Sequence, residues 1–186
     1  MRSKRGAIEL SVSTIVIIVL AMTMLILGLV LVRTIFQSTT SSITSIDDKV
    51  KAQINKLFAE DNLVKIAVYP SSRLIKLNQG SSDEGFAFSI RNLDTIAGNF
   101  KWIVEINDDD LTKKCNINAK TAEDWIQAGR SGTISLAGGN IDSAGQLVLF
   151  TLPSDAPTCT MSFAVKVTKD NAPYTQIGVI LSIKPG

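Results

Sequence analysis

Residues 10–32 run for 23 positions without a charged side chain, and that stretch limits what the chain can fold into more than any other. As a helix rising about 1.5 Å per residue it would measure roughly 35 Å, slightly more than the roughly 30 Å hydrocarbon layer of a bilayer. Ser11, Ser13, Thr14 and Thr23 fit that reading, because hydroxyls bond back to helix carbonyls and the surrounding Ile, Val and Leu dominate the transfer energy. Arg2, Lys4 and Arg5 precede the run and only Arg33 directly follows it. The positive-inside rule then puts the N-terminus in the cytoplasm and the remaining chain outside. The expectation is a single-pass membrane protein. A secretory signal would show a shorter apolar region, about 7–15 residues, and a small-residue cleavage site after it, and this run has neither.

The rest of the composition excludes more than it specifies. With 19 basic and 17 acidic side chains the net charge is +2, and no basic cluster is interleaved with aromatics, so no nucleic-acid partner is expected. Histidine is absent, which removes the usual general base near neutral pH, the Ser-His and Cys-His pairs and most zinc sites. No catalytic residue, metal site or cofactor is expected, and the chain is not read as an enzyme.

The residues before the apolar run carry the most specific pattern. Ser3-Lys4-Arg5-Gly6-Ala7-Ile8-Glu9-Leu10 resembles the leader junction of archaeal type IV pilins and archaellins, in which a short basic leader ends in glycine. The resemblance implies that a prepilin peptidase cuts between Gly6 and Ala7, with Lys4 and Arg5 in the leader. It also implies that the helix lies in membrane lipid until assembly machinery packs it against copies of itself. A homopolymer is then expected, with the N-terminal helices in the core and the remaining domain displayed at the cell surface for adhesion. Many bacterial pilins carry glutamate at the fifth mature position, whereas Glu9 would be the third. Glu9 either pairs with the Ala7 amine of a neighbouring subunit or lies at headgroup level as an interfacial carboxylate.

Beyond Arg33, Ile43, Ile46, Val50, Ile54 and Leu57 recur at spacings of three and four, the stripe of an amphipathic helix. The fold expectation is α+β: a leader over 1–6, a long N-terminal helix over 7–60 with its transmembrane or filament-core part at 10–32, and an all-β domain over 61–186. Gln37 and the serines and threonines from 38 to 42 interrupt the helix pattern as a candidate hinge, and Gly28 is a second soft point.

From Asn62 the period becomes two. Phe86, Phe88 and Ile90 alternate with Ala87, Ser89 and Arg91, and Phe100, Trp102, Val104 and Ile106 form a second such run. Further strands are expected near 63–69, 73–77, 132–136, 146–152, 158–168 and 174–184. Eight strands in about 126 residues fit two antiparallel sheets of an immunoglobulin-like sandwich. That domain is expected to fold without the helix before it.

Cys115 and Cys159 lack CxxC spacing and are expected to form a disulfide, with two buried thiols as the alternative. Thr121 is a candidate N-cap for a short helical turn ending at Trp125, which either anchors that turn in the core or meets a partner at the surface. Asp108, Asp109 and Asp110 read as a solvated acidic loop or as calcium ligands without EF-hand spacing. There is no Asn-x-Ser/Thr acceptor. Two functions from different classes follow: a filament subunit, or an uncleaved anchored binding domain.

Overall fold

The computed structural model describes residues 14–30 and 48–186. They fall in two compact units, Met1–Ile43 and Thr44–Gly186. In the first unit, residues 14–30 form helix α1. Seventeen residues rise about 26 Å. Among the described residues no helix is long and apolar enough to cross a membrane. That overturns the single-pass placement with a cytoplasmic N-terminus and an outside domain, which needed a spanning helix over the whole of 10–32.

The second unit is mainly β. Helix α2 (Asp48–Glu60) leads into strands β1 (Ile66–Tyr69), β2 (Leu74–Asn78), β3 (Glu84–Ile90) and β4 (Gly98–Ile106). Two short helices, α3 (Leu111–Cys115) and α4 (Ala119–Asp124), precede β5 (Ile126–Ala128), β6 (Ser131–Leu136), β7 (Gln146–Phe150), β8 (Thr160–Lys169) and β9 (Ala172–Lys184). The strands form a four-stranded sheet ordered β1-β3-β7-β5 and a five-stranded sheet ordered β2-β9-β8-β4-β6. The α+β expectation of a long N-terminal helix before an immunoglobulin-like sandwich is therefore corrected. The described helices are short, and nine strands rather than eight dominate. The sheets are not purely antiparallel either, since β2 pairs with β9 in parallel.

Alternation builds the core between the sheets. Phe86, Phe88 and Phe150 of one sheet meet Trp102, Phe163 and Leu181 of the other in one buried cluster. Phe150 and Phe163 lie 5.2 Å apart between centroids, and Phe88 meets Trp102 edge-on at 5.8 Å, arrangements that favour aromatic pairs beyond their burial. Tyr174 staples the sheets together. Its hydroxyl donates to the Arg91 carbonyl at 2.8 Å and accepts from the Leu93 N–H at 3.0 Å.

The outer face of β3 is buried too, because α2 lies over it. Ile54 and Phe58 pack with Ala67 and Ala87 in a second cluster, with Val50 and Leu57 at its margin. Small residues at 67 and 87 leave room for the helix. Ser89, also on that face, is buried and satisfied by donating to the Asp142 carbonyl at 2.7 Å. Thus α2 belongs to the compact body of the sandwich. The stripe residues Ile43 and Ile46 lie outside the described residues.

Candidate assembly surfaces

Helix α1 is apolar around its whole circumference. Successive residues on a helix are turned by about 100°, so Ile15 to Leu20 alone sweep more than a full turn. Their exposures lie between 49% for Ile18 and 66% for Ile17, and Met24 reaches 75%. Nothing in the sequence of α1 makes one side polar. Thr23 spends its hydroxyl inside the helix, donating to the Leu20 carbonyl at 2.8 Å. A helix that is hydrophobic all round requires an apolar environment on every side, and a contiguous exposed apolar surface of this kind marks an interaction region.

The sandwich fastens α2 through an unusual cation. Arg91 is 8% exposed. Its guanidinium lies 4.7 Å from the Phe58 ring centroid and donates to the Phe58 carbonyl at 2.8 Å and the Asp61 carbonyl at 3.2 Å. The last carbonyls of a helix lack partners within it and carry the negative end of its dipole. Helix α2 has no basic residue in its own last turn, and Arg91 supplies that charge from the sheet. Sequence reasoning placed Arg91 on the solvent side of an alternating strand. The missing signal was Phe58, one residue past the expected stripe.

Cys115 and Cys159 are joined, with Cα atoms 5.5 Å apart. Helix α3, unforeseen in the sequence, carries Cys115 to the start of β8. It ends where Asn116 takes a left-handed φ of 55° and its N–H donates to the Thr112 carbonyl, a conformation asparagine tolerates better than most residues. Asp108 and Asp110 precede α3 and are engaged by lysines. Lys114 Nζ donates to Asp108 and Lys113 Nζ to Asp110, each at 3.0 Å. The Lys114 hydrogen bond holds the Asp108 carboxyl below the usual carboxylate range against the opposing effect of burial, and Asp108 raises Lys114. These contacts make an ion-paired loop.

The N-cap of α4 is Asn118, not Thr121. Asn118 Oδ1 accepts from the Thr121 N–H at 2.8 Å, so Thr121 is the third residue of the turn. Trp125 closes that turn inside the main core. The residues of the expected processing site, Lys4, Arg5, Gly6 and Ala7, lie outside the described residues, as does Glu9.

No family model and no curated protein matches the chain. Similar solved structures include a family 123 glycoside hydrolase from Clostridium perfringens studied for glycolipid glycan hydrolysis. It has 10% identity and a TM-score of 0.40, over 61% of this chain and 23% of that one. Others are PapD-like domain 7, an ASH/PapD-like domain, of human CEP192 and the E. coli chaperone DraB. The former has 13% identity and a TM-score of 0.38, over 66% and 85% of the two chains. The latter has 12% identity and a TM-score of 0.36, over 64% and 54%. The chain spans about a quarter of the hydrolase's length. Likeness at this level carries no argument about activity or partners.

Proposed function

We propose that the chain is a structural subunit of a type IV pilus-like filament, polymerised through its apolar N-terminal segment and carrying the sandwich on the outside of the polymer. The observation that supports this is α1, whose large apolar side chains are all exposed. Copies of the same helix offer the environment it lacks. Leu, Ile, Val and Met around the full circumference suit a helix surrounded by several others better than one docked along a single seam. The Lys4-Arg5-Gly6-Ala7 junction adds the processing step, with a prepilin peptidase and an assembly machinery as further partners. The sandwich, closed by its own core and its disulfide, suits display in an oxidising setting.

Electron microscopy of the natively isolated protein, with mass spectrometry of its N-terminus, tests this reading. Filaments with a mature chain beginning at Ala7 are expected. Replacing Leu20 with Glu is expected to abolish them while leaving the sandwich's unfolding midpoint unchanged, because Leu20 belongs to the first unit. A monodisperse chain that retains Met1 and stays unassembled without detergent would overturn the proposal.

A further inference from the structure

The two sheets end in four edge strands, and three of them are blunted against pairing with another chain. Strand β1 is four residues long and runs directly into Pro70. Strand β5 has three residues and an irregular register with β7. Strand β2 carries Lys76 at its centre and Arg73 just before it. Strand β6 has none of these within it, and Arg130, which directly precedes it, is held by the Glu123 carboxylate. Ser131–Leu136 reads Ser-Gly-Thr-Ile-Ser-Leu, without charge or proline, and pairs with β4 in unbroken register from Ile103↔Ser131 to Gly98↔Leu136.

Its free side can be assigned. The Val104 N–H donates to the Arg130 carbonyl at 2.7 Å, so Arg130 faces β4. Antiparallel residues alternate between facing the partner and facing away, so Ser131, Thr133 and Ser135 turn their N–H and C=O groups outward. All three are exposed, and among the described residues these outward groups meet no other strand.

The geometry points to β6 as a self-complementary edge that pairs antiparallel with β6 of a second copy, centred on Thr133 opposite Thr133. That centre sets Ser131 opposite Ser135 on both sides, and each of the three outward pairs exchanges two backbone hydrogen bonds. No like charges meet, and threonine and serine pairs across strands are favourable. The inner face fits as well. Ile134, half-buried at the margin of the core, comes opposite Gly132 of the other copy. Glycine is required there, since a Cβ at 132 would lie 2.2 Å from the Trp102 ring. The Trp102 ring fills the space above Gly132, so in the pair the Ile134 side chain of each copy packs against the partner's Trp102 ring.

A two-fold contact of this kind closes and does not propagate. It joins sandwiches in pairs. A single six-residue edge buries far less than the roughly 1,200 Å² of a stable interface, so an isolated pair is transient. The inference depends on β6 alone and stands or falls separately from the filament reading.

Cysteine cross-linking of the detergent-solubilised full chain tests it, with non-reducing peptide mapping to confirm that Cys115–Cys159 stays intact. Thr133→Cys is expected to link to itself at least tenfold faster than Ser72→Cys, an exposed position beside the opposite edge of the same sheet. Ser131→Cys is expected to link with Ser135→Cys when the two are mixed, and neither to link with itself. Thr133→Lys in both copies is expected to abolish the Ser131–Ser135 link without changing the circular dichroism of the fold. Linking no faster than Ser72→Cys, or linking regardless of register, would overturn the pairing.

Discussion

Helix α1 and the sandwich are made from the same apolar residue types and treat them in opposite ways. Ile90, Val148 and Leu181 of the sandwich are fully buried, whereas Ile15, Val19 and Leu27 of α1 are each more than half exposed. The sandwich satisfies its hydrophobic pattern within one chain, since its strands present one face to each other and α2 covers a second. The helix has no polar side to give to solvent, and none of its large apolar side chains is covered among the described residues. Apolar content says how much surface must leave water. Whether the partner lies in the same chain is decided by periodicity.

The largest test of this contrast removes α2. A chain beginning at Asp61 loses the buried side chains of Ile54 and Phe58, each contributing about 1.5–3 kcal/mol, and leaves Arg91 without its Phe58 carbonyl acceptor. A loss of roughly 5 kcal/mol relative to a chain beginning at Thr44 is expected in urea unfolding. Stability equal to within 1 kcal/mol would separate α2 from the sandwich.

Next in size is the disulfide. Cys115 and Cys159 are 44 positions apart, and closing such a loop in the unfolded chain contributes on the order of 4 kcal/mol in the chain-entropy model. The double variant Cys115→Ser, Cys159→Ser is expected to unfold at correspondingly lower denaturant, while any assembly through α1 below that midpoint persists. An unchanged midpoint would mean that the bond spans residues already held together in the unfolded state.

The sandwich was legible where one face of a strand stayed wet. Alternation located β4 and β8 closely. It failed where burial came from outside the sheet, because α2 makes both faces of β3 dry and turns Ala87 and Ser89 from surface into interior. Strand β5 was missed because three residues cannot show a period. Helix α3 was hidden behind its acidic approach, whose carboxylates pair with lysines three and six positions on. Of the expected 23-residue span, residues 14–30 are described, and they are helical.

Arg91 offers a smaller test of how the sandwich keeps α2. Arg91→Met preserves length and apolar contact with Phe58 but removes both donations to the helix end. Hydrogen bonds to a charged group contribute about 1.5–3 kcal/mol, so a loss of about 2 kcal/mol is expected. Hydrogen exchange at α2 amides should quicken while the β8 and β9 amides stay protected. Equal acceleration in both places would show that helix and sheets open as one unit.

The smallest effect lies at the Asp108–Lys114 pair, and its sign follows from the shifts. Asp108 is held below its ordinary range by the Lys114 hydrogen bond, so the folded chain binds fewer protons than the unfolded one near the unfolded value of about 3.9. Its stabilisation is complete above that value and is lost as pH falls through the lower folded one. Lys114 is raised by Asp108, so its share is complete below about 10.4 and is lost as pH rises through the raised value. From about pH 5 to 9 the pair is then flat. Asp108 is nearly covered at 6% side-chain exposure, but Lys114 is 52% exposed, so solvent and salt screen the interaction. The thermal midpoint of Asp108→Asn is expected to lie slightly below that of the parent chain at pH 7. The gap should narrow toward pH 3 and in 1 M salt. A gap that persists at pH 3 would show that Asp108 stabilises the loop by something other than its charge pairing with Lys114, since the Asp110 N–H, 3.1 Å away, is a donor that the side-chain oxygen of the Asp108→Asn variant also accepts.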